Sequence, residues 1–153
     1  MKLHFEPNLD YQLQAIEATC DLFRGQEICR TEFTVTRDAL GGAFLPGMES
    51  DLGIGNRLTL LDEEILKNLH DVQLRHGVAP SGALASGDFT IEMETGTGKT
   101  YVYLRTIFEL NKRYGFTKFV IVVPSVAIKE GVYKSLQITE DHFKSIYAGV
   151  PFD

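Results

Sequence analysis

A chain of 153 residues and 17.1 kDa, 44% of them apolar, has the length of one domain and enough apolar surface for a sizeable core, which argues against disorder. No run approaches the roughly 18 to 20 consecutive apolar residues of a bilayer span, and charge breaks Met1-Lys2-Leu3-His4-Phe5-Glu6 before a signal-peptide core could form, so the expected location is cytoplasmic. The formal charge of −6 argues against a simple basic nucleic-acid binder, but it is uneven: residues 1–93 hold 7 Lys and Arg against 15 Asp and Glu, whereas residues 94–153 hold 8 against 6.

The first element expected is a helix from about Asp10 to Phe23, with Asp10 as N-cap, Leu13, Ile16, Cys20 and Phe23 near one face, and Gly25 at its end. In 31–37, Phe33 and Val35 alternate with polar residues as in a short strand. Residues 38–58 are rich in turn signals, Gly41-Gly42, Pro46-Gly47, Gly53 and Gly55, and read as an irregular excursion. A second helix is expected from Asp62 to His76, with Ile65, Leu66, Leu69, Val72 and Leu74 apolar, Glu63 and Glu64 in its first turn and Gly77 past its end. Pro80 to Gly87 form a linker of small residues.

Beyond the linker the pattern becomes strand, glycine loop, helix, strand, helix. Phe89, Ile91 and Met93 alternate with Thr90 and Glu92, and Lys99 to Tyr114 predict a helix with Tyr101, Leu104, Ile107, Phe108 and Leu110 inward, closed by Gly115. Phe119-Val120-Ile121-Val122-Val123 is a continuous run of the kind buried on both faces of a parallel sheet. Ser125 is placed to cap a helix over Val126 to Leu136, and Thr139 a short last one near Asp141 to Tyr147.

Glu94-Thr95-Gly96-Thr97-Gly98-Lys99-Thr100 carries the strongest chemistry. A triphosphate needs many donors in a small space. Glycines let backbone N–H groups turn inward, a helix start adds its positive dipole end, Lys99 can reach the β and γ phosphates, and Thr100 can bind Mg²⁺. The full phosphate-loop pattern has glycine where this chain has Met93. Cys20 and Cys29 have no CxxC spacing and read as small buried apolar residues. His4, His70, His76 and His142 form no i, i+4 pair, and Asp62-Glu63-Glu64 reads as first-turn charge on a helix rather than a metal site.

The form M-E-T-G-T-G-K-T resembles motif I of superfamily 2 helicases and translocases. Phe5, Pro7, Tyr11 and Gln12, within F-E-P-N-L-D-Y-Q-L-Q-A-I, resemble the Q-motif region of that superfamily, where an amide matches the adenine edge. Residues 120–132, V-I-V-V-P-S-V-A-I-K-E-G-V, are similar to motif Ia, which implies that Pro124, Ser125 and Lys129 face a nucleic-acid backbone. Together with D-L-F-R-G-Q at 21–26, the combination resembles the restriction (Res) subunit of type III restriction-modification enzymes over essentially the full chain.

That resemblance implies a partial RecA-like P-loop α/β domain with a parallel sheet, preceded by a helical and irregular N-terminal segment. It divides the chain into a Q-motif-like helix at 1–27, an insertion with one helix at 28–87 and an incomplete strand-helix-strand core at 88–153. It further implies ATP and Mg²⁺ as ligands, double-stranded DNA and a modification (Mod) methyltransferase subunit as partners, and a nuclease elsewhere in a longer protein. After Lys99 the acids are Glu109, Glu130, Glu140, Asp141 and Asp153, none of them in an Asp-Glu pair after an apolar strand. The segment alone is therefore expected to bind ATP weakly or not at all and to hydrolyse none. The competing expectation is a free-standing P-loop nucleotide-binding module, or a small kinase-like regulator, with 28–87 as a partner-binding insertion.

Overall fold

The computed structural model describes residues 5–28 and 56–148. Its order is α1 (Asp10–Asp21), α2 (Asp62–Arg75), α3 (Lys99–Tyr114) and α4 (Val126–Ile146). The strand expected at 31–37, most of the turn-rich stretch and Cys29 lie outside the described residues.

Leu9, in extended geometry, is the N-cap of α1, so Asp10 is not the cap but the first helical residue, where its charge faces the positive helix end. Gln12, Ala15, Ile16 and Cys20 are buried along one face. The helix stops at Asp21, two residues before Phe23, and the chain turns through Gly25 at φ +97°. The buried Asn68 of α2 donates to the carbonyls of Leu22 (3.1 Å) and Arg24 (2.9 Å), satisfying groups that the end of α1 leaves over. Arg75 to Asp21 and Arg24 to Asp71 add ion pairs across the same seam. At the start of α2, Glu64 reaches back to accept from the Leu61 N–H (2.9 Å). Its apolar side is narrower than expected: Ile65 is buried, but Leu74 is exposed.

α3 is covered on two sides. Val102 and Leu110 join Ala15, Ile16, Cys20 and Phe116 in one cluster, while Leu104 joins Phe143 and Tyr147 in another. Burial pushes the Cys20 thiol up to about 12, so it behaves as an apolar residue. Gly115, at φ +71°, closes α3 by donating to Asn111 O (2.8 Å). Arg113 pairs with Glu17 of α1 and Glu109 of its own helix, and its hydrogen bond holds the Glu17 carboxyl below the usual range.

Two larger expectations are also corrected. The α/β reading fails: the described residues form four helices and no strand, so the parallel sheet of the expected RecA-like P-loop core is not there. A strand exists only as a paired ladder, and the apolar run 119–123 has no such partner among them. Val120 is 89% and Val122 86% exposed. The backbone just before them bonds to a side chain instead: Asn56 Oδ1 accepts from the N–H groups of Thr117 (2.7 Å) and Lys118 (3.1 Å), and its Nδ2 donates to Lys118 O. Met93 and Phe119 turn inward against the α1–α3 cluster.

The second correction concerns the last two helices, which are one. Ser125 caps α4, its Oγ accepting from Ile128 N–H (3.3 Å), but Thr139 does not begin a new helix. Its hydroxyl bonds back to Ser135 O (2.7 Å) one turn earlier, and no Gly or Pro interrupts 132–146. The far half of α4 carries the packing, with Thr139 and Phe143 buried.

Phe143 is only 1% exposed and joins α3 to α4. Phe143→Ala is expected to cost about 3 to 5 kcal/mol of stability, read from urea unfolding of the purified protein.

A phosphate-type loop at the start of α3

The loop between Met93 and α3 is shaped by two glycines and held by two hydrogen bonds. Gly96 and Gly98 both have φ +84°, a left-handed conformation that a residue with a Cβ adopts only under strain. Thr97 Oγ1 donates to Glu94 O (2.7 Å), closing the loop on itself. From α1, Gln12 Nε2 donates to Thr97 O (2.9 Å), a bond between residues 85 apart in sequence.

Gln12 is 6% exposed, and a Cβ on Gly98 would sit 2.7 Å from its Nε2. The glycine and the glutamine are therefore a matched pair. Gly98 is also the N-cap of α3, and no side chain caps that helix start. The first-turn N–H groups have no intrahelical acceptor, so the positive end of the dipole is open beside Lys99. Glu94, Thr95, Gly96, Gly98 and Lys99 are exposed, and Thr100 is half-buried. Two left-handed glycines, an exposed lysine, a threonine hydroxyl and an uncapped helix start make the donor set that a polyphosphate with its metal ion requires.

The structure brings Gln12 to this loop, with Tyr11 next to it, 47% exposed. Phe5 stacks on Tyr101 of the first α3 turn, ring centroids 6.2 Å apart. Pro124, Ser125 and Lys129 lie at the exposed start of α4, and the Ser125 hydroxyl oxygen is already used as the helix cap.

Sequence reasoning passed over Arg105, which is buried on α3 and donates to Pro7 O and to Tyr147 Oη (3.3 Å). The available signal was a cation at i+4 from Tyr101, within a helix otherwise apolar around that point. A cavity of about 290 Å³ lined by Phe23, Leu58, Ile65 and Phe89 lies elsewhere and contains none of the loop residues.

The sequence family described as "Type III restriction enzyme, res subunit" matches residues 7–149. The chain belongs to this family. It is 32% identical over 147 residues to the EcoP15I Res subunit of Escherichia coli, covering 93% of this chain and 14% of that protein. Against the EcoPI Res subunit of Escherichia phage P1 it is 32% identical over 148 residues, covering 94% of this chain and 14% of the relative. A shorter match to the StyLTI Res subunit of Salmonella typhimurium is 51% identical over 59 residues, 37% of this chain and 6% of that protein. The chain thus spans about one-seventh of the length of the first two relatives. The matched range includes the loop at the start of α3.

Gly98→Ala is expected to destabilise the fold by about 1 to 2 kcal/mol, from the left-handed backbone and from displacing Gln12. In a Gln12→Ala background the same change should cost less, by about 1 kcal/mol, because the collision is gone. A double-mutant cycle in urea measures the difference.

Proposed function

We propose that the chain supplies the nucleotide-gripping segment of an ATP-dependent motor within a type III restriction subunit. One observation carries this reading: Gly96 and Gly98, both left-handed, deliver Lys99 and Thr100 to the uncapped start of α3. In this reading Lys99 reaches the β and γ phosphates and the Thr100 hydroxyl ligates Mg²⁺. Glu94, Thr95, Gly96, Thr97 and Gly98 form the cradle, shaped by the Thr97–Glu94 bond and by Gln12 beneath it. Tyr11 and Gln12 take the adenine side. An amide has two donor hydrogens and one acceptor oxygen, so the bond to Thr97 occupies only part of its capacity.

Bound ATP supplies the phosphoryl group whose transfer to water powers the motor; the residues here bind and orient it. Two carboxylates on α3 and α4 are otherwise engaged, and no acid after Lys99 stands in an Asp-Glu pair. Glu109 accepts from Tyr147 and Arg113, and Glu140 pairs with Lys144. We therefore assign the water-activating acid, and the nuclease, to the rest of a whole protein. The segment alone then binds ATP weakly at most and hydrolyses none.

Residues 1–27 act as the base-side arm, 28–87 as an insertion and 88–153 as the grip. At the start of α4, backbone N–H groups with Pro124, Ser125 and Lys129 take a DNA phosphate, and Lys129 is exposed for that role. The partners are double-stranded DNA and a Mod methyltransferase subunit. The location is the cytoplasm; no helix among the described residues is long and apolar enough to cross a membrane.

DNA-stimulated ATP hydrolysis by the whole subunit with its Mod partner tests this reading. Lys99→Ala should lower the rate by about 100-fold or more. An unchanged rate would remove Lys99 from the site. DNA-stimulated turnover by the 153-residue chain alone, abolished by the same change, would overturn the assignment of the acid to other parts of the protein.

A further inference from the structure

Arg105 is 8% exposed, and its hydrogen bonds to Pro7 O and Tyr147 Oη go to neutral acceptors. Its Nη1 donates to Pro7 O, 98 residues earlier in the chain, and its Nε to Tyr147 Oη, just past α4. The charge is balanced one step further on, where the Tyr147 hydroxyl donates to Glu109 Oε1 (2.6 Å). Burial and that bond hold the Tyr147 phenol above its usual range.

Burial works against the guanidinium charge, and the hydrogen bonds offset it. An apolar side chain of the same volume would fill such a seam without that desolvation cost. What the apolar side chain lacks is a rigid planar fork that grips two elements at once.

The element gripped on one side is the arm 5–12. Tyr101 and Arg105 stand one turn apart on the same ridge of α3. Phe5 stacks on the first at 6.2 Å and Pro7 O is held by the second. Five residues after Pro7 comes Gln12, whose amide meets the loop at Thr97, and Tyr11 precedes it. The arm is thus fixed to the same helix whose start carries Lys99 and Thr100.

We propose that Arg105 is a positioning residue for nucleotide selectivity: by clamping the Pro7 carbonyl to α3 it fixes the base-side residues Tyr11 and Gln12 relative to the phosphate grip. This rests on the nucleotide reading above and adds a residue and a function to it. The phosphates are held by the loop and Lys99, which do not touch Arg105. Gln12 also holds Thr97 O, so releasing the arm costs recognition of the base most, and the phosphate grip, which is shaped as well by Gly96, Gly98 and the Thr97–Glu94 bond, is affected less.

The test is equilibrium binding of ATP, GTP and inorganic triphosphate, each with Mg²⁺, to the whole subunit and to Arg105→Met. The variant is expected to lose about tenfold in ATP affinity, the scale of one or two hydrogen bonds. Triphosphate binding should stay within about twofold and the preference for ATP over GTP should fall toward one. Arg105→Lys, which keeps the charge and one donor but not the fork, should fall between the two.

Unchanged ATP and GTP affinities in Arg105→Met would overturn the proposal. So would an equal loss for ATP and triphosphate at an unchanged melting temperature, because Arg105 would then shape the grip itself. A wild-type protein that binds ATP and GTP alike would also overturn it, there being no selectivity to position. If Arg105→Met does not fold, Tyr147→Phe removes only one hydroxyl from the relay and should shift the ATP-to-GTP ratio in the same direction, by about threefold. An unshifted ratio there counts against the proposal. Wild-type protein that binds neither ATP nor triphosphate would instead overturn the nucleotide reading.

Discussion

The contact on which the rest depends is the hydrogen bond from Gln12 to the Thr97 carbonyl, made in the space that only a glycine at 98 leaves open. It joins α1 to a loop 85 residues away and is partly buried, with Gln12 itself 6% exposed. A buried amide that loses its partner costs about 1 to 3 kcal/mol, so the loop cannot drift from α1 without penalty. The left-handed turn at Gly98 and the direction in which α3 starts follow from that constraint. Lys99 and Thr100 are carried to the open end of the helix as a result.

α3 then organises everything around it. One side packs on α1 through Val102 and Leu110, the other on α4 through Leu104, with Phe108 packed against that second cluster. Charged side chains follow the same plan. Arg113 ties α3 to α1 through Glu17, and Arg105 ties it to the arm and to Tyr147. Arg105 is buried and bonds to neutral acceptors, and Arg113, its side chain 31% exposed, makes two bonds to the Glu17 carboxylate. The phosphate-type loop is thus the exposed tip of a well-anchored helix.

The helices were legible where caps and periodicity agree. α3 has a glycine at each end and an apolar stripe between, and its bounds match the expectation, Lys99 to Tyr114. Ser125 as a cap was readable for the same reason. Thr139 misled because threonine caps helices and also bonds back inside them, and only the neighbouring carbonyl decides which.

The sheet failed for a different reason. Residues 119–123 have strand composition, but a strand is a property of two segments, and composition does not say whether the second is at hand. The loop residues could be named from the sequence, whereas the bond from Gln12 to Thr97 and the clamp from Arg105 to Pro7 could not. Both link residues more than 80 positions apart, beyond the reach of local pattern.

The chain belongs to the type III Res family and spans about one-seventh of the length of two of its relatives, and Val120 and Val122 are exposed on it. The net charge of −6 does not oppose a nucleic-acid role, since the acids are concentrated before residue 94 and the loop and α4 lie after it. The most direct measurement is amide hydrogen exchange of the whole subunit with and without Mg-ATP. Exchange is expected to slow at 94–102 and in the arm around 8–13. Unchanged exchange at 94–102 under saturating nucleotide, with protection elsewhere, would contradict the nucleotide reading.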